Sequence, residues 1–316
     1  MTTPRKSFQQ LCVWAIAALI LCSLTPYAPL SLLLTDIPSH FVLQYAIGCV
    51  VLFAAALWLR LPQFYYLLLL LAFVLNMASL APYLDRHMPQ TSHTRTFKVL
   101  QANVLTQNRD AVLLEALIER EKPDVIVLAE VNDAFRRMAA TLKPQYPYQT
   151  ARHKVALLSR HPAADISPDA ARDAHAHISA FAVTFGRQTL DIVTVHTPTP
   201  LQNLSRRDAE LSETADFIRS RRNPVLFAGD INATPWSPAV QAFMTRTGLV
   251  SARLHHGVQP SWPHWLPASF LRIPIDHVLT DPRIGVVDYR LGPPIGSDHL
   301  PTIGIFSLPD AQRTEK

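Results

Sequence analysis

Three long apolar runs dominate the first part of the chain, and short apolar and polar stretches alternate in the remainder. The runs cover residues 11–34, 41–59 and 64–84, and Pro26 and Pro29 interrupt the first of them. Crossing the hydrocarbon core of a bilayer takes about 20 apolar residues, and the second and third runs meet that length. We therefore predict a membrane anchor of three transmembrane helices over residues 1–84.

The first run also fits a cleaved signal peptide, because Arg5 and Lys6 precede a short apolar stretch. A membrane span is favoured, since no convincing small-residue cleavage site precedes the next apolar run. Lys and Arg are enriched in cytoplasmic loops, and Arg60 lies between the second and third runs. Three crossings then place the chain after residue 84 on the non-cytoplasmic side. All three cysteines lie in the apolar runs, which fits an oxidising compartment without demanding one.

The segment after the anchor has the pattern of an α/β domain. Residues 85–96 are polar and read as a linker, and residues 309–316 read as a polar tail. Between them, residues 110–124 and 204–222 carry apolar positions at helical spacing. Short apolar runs that predict strands surround these helices, in "FKVLQAN", "DVIVLAE", "VALLS", "ISAFAVTF", "TLDIVTVH" and "VLFAG". Residues 97–308 are long enough for one well-buried core.

Charge gives little support for a surface built to bind nucleic acid. The chain has 29 Lys and Arg against 24 Asp and Glu. Five of the basic residues and two of the acidic ones precede Phe97, so the predicted domain is close to neutral. Phosphate backbones are bound chiefly through clustered Lys and Arg, and the excess here lies beside the membrane.

Polar residues stand at the ends of several predicted strands, where α/β folds place their chemistry. Asp230 and Asn232 share one face if the strand continues through Ile231, although a simple turn is the alternative. The remaining polar residues of this kind are Asn103, Glu130, His196, Asp276, Asp298 and His299. Oxygen ligands with few nitrogens suit Mg²⁺ or Mn²⁺ and not a structural zinc. Together with histidine, they indicate cleavage of a phosphate ester.

Seven stretches in order resemble the endonuclease/exonuclease/phosphatase superfamily, and with the apolar runs its membrane-anchored bacterial branch. They are "QANVLT", "PDVIVLAEVN", "VALLSRHP", "VTVHTPTP", "VLFAGDINATPWSP", "IPIDHVL" and "GSDHLPT". The resemblance implies a DNase I-like, four-layer α/β/β/α sandwich with its site at one rim. It also implies a phosphodiesterase or endonuclease-like hydrolase that uses a metal-activated water. Its expected location is the inner membrane, with the domain in the periplasm.

The resemblance also implies a role for each polar residue. Glu130 matches the glutamate that binds the metal, Asn103 beside it would contact metal or phosphate, and Asp298 resembles an acidic residue near the metal. Asp230 matches the carboxylate that activates the attacking water, and Asn232 the amide that holds phosphate or nucleophile. His299 matches the histidine that binds the scissile phosphate, oriented by Asp276, and His196 lies near phosphate or leaving group. Arg206 and Arg207 are weaker candidates for contacting phosphate.

Several alternatives stay open from the sequence. The phosphate ester could belong to a nucleic acid, to a phospholipid or to a small molecule, and a non-catalytic binding domain on the same fold is a further alternative. Partners other than the substrate and the lipid bilayer cannot be inferred. Residues 261–274 are rich in Trp, Phe and Leu, and they either pack on the domain, which we favour, or form an apolar lip at lipid headgroups. We expect His277 to be structural, and His255, His256 and His264 to be solvated loop residues.

Overall fold

The computed structural model describes residues 4–29, 31–85, 95–152, 154–168 and 178–308. Most of the predicted linker (residues 86–94) and all of the predicted tail (residues 309–316) lie outside these residues.

The predicted anchor is a bundle of three long helices with a short fourth helix at one end. Its elements are α1 (Pro4–Leu24), a 3₁₀ turn (Thr25–Tyr27), α2 (Leu33–Ser39), α3 (Val42–Leu59) and α4 (Gln63–Leu84). The three long helices are long and apolar enough to cross a membrane. Helix α1 ends at Leu24, shortly before Pro26, because proline cannot donate the backbone hydrogen bond that would continue the helix.

The rest of the chain folds into two six-stranded sheets with helices outside them. The helices are α5 (Val112–Glu121), α6 (Asp133–Thr141), α7 (Pro200–Arg219) and α8 (Pro238–Thr247). The strands are β1 (Arg95–Asn103), β2 (Val125–Ala129), β3 (Tyr148–Arg152), β4 (Val155–Ser159), β5 (Ala163–Asp165), β6 (Ser179–Phe185), β7 (Gln188–Thr194), β8 (Val225–Asp230), β9 (Val250–Ser251), β10 (Asp276–Thr280), β11 (Gly285–Leu291) and β12 (Thr302–Leu308). The first sheet has the order β11-β12-β1-β2-β4-β3, and the second β5-β6-β7-β8-β10-β9.

Three apolar layers hold this sandwich together. Phe97, Phe181 and Phe306 belong to the core between the two sheets. Leu117 of α5 and Phe135 of α6 belong to a second core against the first sheet, and a third core joins α7 and α8 to the second sheet. All five residues of β2 are buried, as expected of a strand that is covered on both faces. The predicted four-layer α/β/β/α sandwich is confirmed.

The strand pattern did not predict two of the outer helices. Helix α6 begins after Asn132, whose side-chain oxygen accepts hydrogen bonds from the backbone N–H groups of Ala134 and Phe135. Helix α8 begins in the same way after Ser237. Both helices have only nine or ten residues, so their apolar faces are short and their capping residues are the clearest signal in the sequence.

The domain packs directly against one end of this helix bundle, which we call the anchor. Trp236, in the loop after β8, donates its Nε1–H to the backbone oxygen of Ser79 at 3.2 Å. Gln44, near the start of α3, donates Nε2–H to the backbone oxygens of Phe270 at 2.8 Å and Arg272 at 3.1 Å. The junction also contains a cluster of buried apolar side chains from both parts of the chain, namely Val42, Ala46, Leu80, Tyr83, Trp236 and Val258. Anchor and domain therefore share a continuous buried interface.

Arg207 belongs to this interface, which corrects its assignment as a phosphate ligand. Its guanidinium donates to both oxygens of Asp36 in α2, each at 2.8 Å. It also donates to Asp208 at 2.7 Å. The side chains of Arg207 and Asp36 are both 0% exposed. A guanidinium that is enclosed and paired in this way is not available to a substrate.

Asp36 is held in its ionised form. Burial by itself would raise the pKa of this carboxyl, but hydrogen bonds from His40 and Arg207 outweigh burial and lower the pKa to about 2. Removing one member of a buried pair leaves an uncompensated charge, which costs about 3–5 kcal/mol.

We therefore expect Arg207→Ala to lower the thermal midpoint of the full chain in detergent by about 6 °C or more, given about 2–4 °C per kcal/mol for domains of this size. Arg283→Ala is the matched control, because Arg283 makes a similar two-pronged pair with Asp281 but is 53% exposed. An exposed pair contributes only about 0–1 kcal/mol. Equal shifts in the two variants would contradict the structural role assigned to Arg207.

Candidate active site

The strand pairing brings the predicted polar residues to one rim of the sandwich. Asn103 ends β1, and Glu130 directly follows β2, its parallel neighbour. In the second sheet, Asp230 at the end of β8 lies opposite Asp276 at the start of β10. Register therefore places two polar residues close together at one end of a strand pair in each sheet.

Asn103 connects the two sheets. Its Nδ2 donates to Glu130 Oε1 and to Asp230 Oδ2, both at 3.0 Å. Its Oδ1 accepts a hydrogen bond from the backbone N–H of Leu105 at 3.0 Å, which fixes the orientation of the amide. Two carboxylates from different sheets are thereby held on either side of one donor group.

His299 lies on the other side of Asp230. Its Nδ1 is 2.8 Å from Asp276 Oδ2, and its Nε2 is 3.7 Å from Asp230 Oδ2. Asp276 also accepts hydrogen bonds from Gln101 at 3.1 Å and from Ser261 at 2.6 Å. Because Asp276 is fixed by these partners, it orients the imidazole with Nε2 towards Asp230.

His196 completes the cluster from the end of β7. Its Nε2 lies 3.3 Å from Glu130 Oε1 and 3.8 Å from Asp230 Oδ2. The close approach of β7 and β8 at this point requires Gly229, since a Cβ there would collide with the backbone oxygen of Val195. The glycine before Asp230 therefore serves to bring His196 and Asp230 together.

Asn232 does not continue the strand, so the expectation of a face shared with Asp230 is wrong. Strand β8 ends at Asp230, and Asn232 has a left-handed φ of 54°. Its backbone N–H donates to Asp230 Oδ1 at 2.9 Å, and its side chain donates to the backbone oxygen of Thr197 at 2.8 Å. Asparagine tolerates this backbone conformation better than most residues. The turn itself holds Asp230 in place.

The electrostatics favour charged forms for both imidazoles and for Glu130 and Asp276, whereas burial raises the pKa of Asp230, the carboxyl between the two imidazoles. Burial would lower the pKa of His299, but Asp276 and Asp230 outweigh burial and raise the pKa to about 10. His196 has a raised pKa for the same reason, with Glu130 and Asp230 as the nearby charges. Burial would raise the pKa of Glu130, but hydrogen bonds from His196, Asn103 and Thr106 lower it far below its usual range.

A family profile described as the Endonuclease/Exonuclease/phosphatase family matches residues 100–299, which include the whole cluster. The chain belongs to the endonuclease/exonuclease/phosphatase family. Members of this family are metal-dependent phosphodiesterases, nucleases and phosphatases. A comparison with curated protein sequences found no match to the chain.

Solved structures of similar proteins support the same fold. An endonuclease/exonuclease/phosphatase from Beutenbergia cavernae is 20% identical with a TM-score of 0.52, over 68% of this chain and 72% of that one. A family protein from Bacteroides thetaiotaomicron is 14% identical with a TM-score of 0.56, over 69% and 100%. D. rerio TDP2, complexed with a single-strand DNA product, is 16% identical with a TM-score of 0.54, over 68% and 100%. Identities this low show the fold alone.

Two parts of the rim have the ligands for a divalent cation. Among the described residues, Asp230, Asp276 and His299 form one group whose ligand atoms lie within 4.8 Å of one another. Both oxygens of Asp276, however, already accept hydrogen bonds. Asp298 Oδ1 is buried and accepts no hydrogen bond from any residue that the structure describes, although it lies 4.0 Å from His299 Nε2. Both Glu130 oxygens also accept hydrogen bonds. Carboxylate oxygens such as those of Glu130 and Asp298 are nevertheless the hard ligands that divalent metals take.

Several residues that orient the site were missed from the sequence. Gln101 precedes Asn103 by two positions in β1, so the strand period places both on one face. Thr106 donates both its backbone N–H and its hydroxyl to Glu130 Oε2, at 2.9 and 2.8 Å. Ser261 and Trp262 lie in the segment of residues 261–274, for which the sequence analysis noted only the apolar composition. A buried polar residue within an apolar strand, as at Gln101, was the one available signal.

The remaining candidates lie elsewhere or have structural roles. Arg206 forms an ion pair with Glu210 at 2.8 Å, one helical turn further along α7, and its contact with phosphate stays a prediction. His277 is buried and bonds the backbone oxygen of Ala233 at 2.7 Å, in agreement with a structural role. His255, His256 and His264 are half-buried loop residues and are not part of the ligand group described above.

We expect Ser261→Ala to lower the free energy of unfolding by about 1–3 kcal/mol, because it removes a hydrogen bond to a buried carboxylate. Ser307→Ala is a matched control, since Ser307 is equally buried but its hydroxyl has no partner among the described residues. That change should be neutral or stabilising. Chemical denaturation of the two variants in detergent measures the difference, and an equal effect would remove Ser261 from the support of Asp276.

Proposed function

We propose that this chain is a membrane-anchored phosphohydrolase that depends on Mg²⁺ or Mn²⁺ and cleaves phosphodiesters by attack of water on phosphorus. The observation that carries the proposal is the pair of His299 and Asp276, whose imidazole faces Asp230. Asn103 joins Asp230 in turn to Glu130. Positive and negative groups alternate there over a few ångströms. That arrangement suits a crowded phosphoryl group and the water that attacks it.

Different residues of this chain would act on the phosphate and on the attacking water. Protonated His299 would lie against a phosphoryl oxygen, where its charge stabilises the charge that develops in the transition state. Asp230 would orient the attacking water and accept its proton. Asn232 and His196, on either side of Asp230, would hold the phosphate and the leaving oxygen. Asp276 positions His299 and touches no substrate in this account.

Glu130, Asn103 and Asp298 would hold the metal ion. When bound, a divalent cation would act as a Lewis acid that polarises the phosphoryl oxygen. Asp298 Oδ1 supports this assignment, because it accepts no hydrogen bond from the residues that the structure describes, and a buried carboxylate oxygen of this kind is costly unless a cation or water satisfies it. Asn103 directs its Nδ2 to Glu130 and Asp230 and its Oδ1 to the backbone N–H of Leu105, so in this orientation it would hold the ligand Glu130 in place through a hydrogen bond.

A non-catalytic binding domain is a poor fit to the same rim. Buried charged groups cost several kcal/mol each unless they are paired, and Asp230 and Asp276 are both 0% exposed. A binding surface could replace such groups with apolar residues without loss of the fold. Their concentration at a single rim is typical of catalysis.

The purified full chain should hydrolyse bis(p-nitrophenyl) phosphate with Mg²⁺ or Mn²⁺, and EDTA should abolish the reaction until metal is restored. His299→Ala should lower kcat by about 10² or more, because it removes an electrostatic and acid–base group. His161→Ala is the control for the loss of a histidine outside the site, because His161 pairs with Asp124 away from this rim. Activity that survives both chelation and His299→Ala would refute the proposal.

We further propose that the anchor lies in the bacterial inner membrane with the catalytic domain on the periplasmic side. Arg5 and Arg60 lie together at the end of the helix bundle opposite the domain. Lys and Arg mark the cytoplasmic side of membrane helices, so this charge distribution supports the orientation.

Alkaline phosphatase fused after residue 84 should be active, because this reporter folds only outside the cytoplasm. The same reporter fused after residue 61, between α3 and α4, is the matched control and should be inactive. The opposite pattern would reverse the orientation.

A further inference from the structure

A single loop connects the candidate active site to the membrane anchor. At the start of the loop, Trp262 donates Nε1–H to Asp298 Oδ2 at 2.9 Å, and the backbone N–H of His264 donates to the backbone oxygen of Asp298, also at 2.9 Å. Trp262 and Ile273 exchange two backbone hydrogen bonds, which close the loop at its base. Residues 263–272 therefore form a closed protrusion that begins beside His299 and Asp298. We call these residues the rim loop.

The far side of the rim loop is attached to a membrane span. Gln44 Nε2 donates to the backbone oxygens of Phe270 and Arg272, and Gln44 belongs to the first turn of α3. Helix α3 has 18 residues, or about 27 Å at 1.5 Å per residue. Because the hydrocarbon core is about 30 Å thick, both ends of α3 lie at its boundary. Phe270 and its neighbours are thus held at the edge of the bilayer.

The rim loop presents large apolar side chains at this edge of the bilayer. Trp265 is 67%, Phe270 47% and Leu271 42% exposed. The expectation that residues 261–274 pack on the domain therefore holds only towards the two ends of the segment, as at Pro263 and Ile273, which are buried. Trp is enriched at membrane interfaces because its ring suits the headgroup region. Three large apolar side chains on one loop are an apolar surface that lipid would cover.

A second loop ties the same rim to the anchor. Thr234, two residues after Asn232, lies 3.2 Å from His40 Nδ1 of the anchor through its hydroxyl. Trp236 packs edge-on against Tyr83 of α4 and bonds the backbone of Ser79. The catalytic rim is therefore held at the membrane surface from two sides, whereas a duplex nucleic acid would need open space around the site.

We propose that the substrate is a phospholipid of the membrane that holds this chain, and that the rim loop contacts the bilayer while the headgroup phosphodiester enters the site. This inference rests on the proposed hydrolase function. Water attacks phosphorus, one P–O ester bond breaks, and the departing alkoxide takes a proton. The products are a phosphate monoester and an alcohol. They are diacylglycerol with a phosphorylated headgroup, or phosphatidic acid with a free headgroup.

The decisive experiment places the full chain in liposomes of phosphatidylethanolamine and phosphatidylglycerol with Mg²⁺, and follows diacylglycerol and phosphatidic acid by mass spectrometry. Bis(p-nitrophenyl) phosphate and plasmid DNA are assayed in parallel. We expect lipid products, absent from His299→Ala, to form faster than DNA is cut. Intact lipid with cleavage of either soluble diester overturns this inference alone, and so does DNA cleavage at an equal or higher rate. No cleavage of any ester overturns the hydrolase proposal as well.

The rim loop is tested with Phe270→Ser combined with Leu271→Ser. Burying a large apolar side chain contributes about 1.5–3 kcal/mol, so the ratio of lipid cleavage to soluble diester cleavage should fall about tenfold or more. Val250→Ser combined with Val287→Ser is the matched control, because both valines are 40–42% exposed and Val250 pairs with Thr280 at the opposite end of β10 from Asp276. A ratio that is unchanged in the rim-loop variant overturns the assignment.

A binding measurement independent of activity uses brominated phospholipids, which quench Trp fluorescence on contact. Trp14 and Trp58 in the anchor are exposed on their helices and should be quenched in every variant. Trp265→Phe should remove a further quenched component that the wild-type chain shows. An identical quenched signal in the two proteins overturns the contact between rim loop and bilayer.

Discussion

The site depends on holding several carboxylates together in a place where water is largely excluded. Like charges repel strongly in such surroundings, and Asn103 separates Glu130 from Asp230 by donating to both. The imidazoles of His196 and His299 add positive charge on either side of Asp230. Because Asn103 and Glu130 come from one sheet and Asp230 from the other, the site forms only when the two sheets pack face to face. Folding and the assembly of the site are therefore the same event.

The parts of the site that follow from local pattern could be predicted from the sequence. A strand period of two and a polar residue at the strand end are visible within a few positions, which is why Asn103, Glu130 and Asp230 were found. The strand itself was extended too far at Asn232, because the turn depends on a hydrogen bond to Asp230 that periodicity does not reveal. Gln101 was missed for a related reason: a lone polar residue in a strand gives no sign of its partner.

Arg207 shows what local pattern cannot supply. On helix α7 it looks like a solvated basic residue beside the site, and its true partner, Asp36, precedes it by 171 positions. Asp36 lies between two apolar runs that were read only for their length and hydrophobicity. The pair is meaningful only once the anchor and domain are in contact, since a buried charge requires its partner. Contacts between segments that are far apart in the sequence, such as this ion pair, therefore cannot be predicted from local sequence pattern.

The junction also limits how the domain can move relative to the helix bundle. A domain joined to its anchor by a flexible linker alone would sample many orientations. Here the buried pair of Asp36 and Arg207, the Trp236 contacts and the Gln44 hydrogen bonds attach the domain at separate points. Two of these attachments involve loops that carry or adjoin site residues, so the orientation of the domain and the geometry of the rim are coupled. A change at the junction should therefore alter the geometry of the site through the loops that follow Asp230 and Ser261.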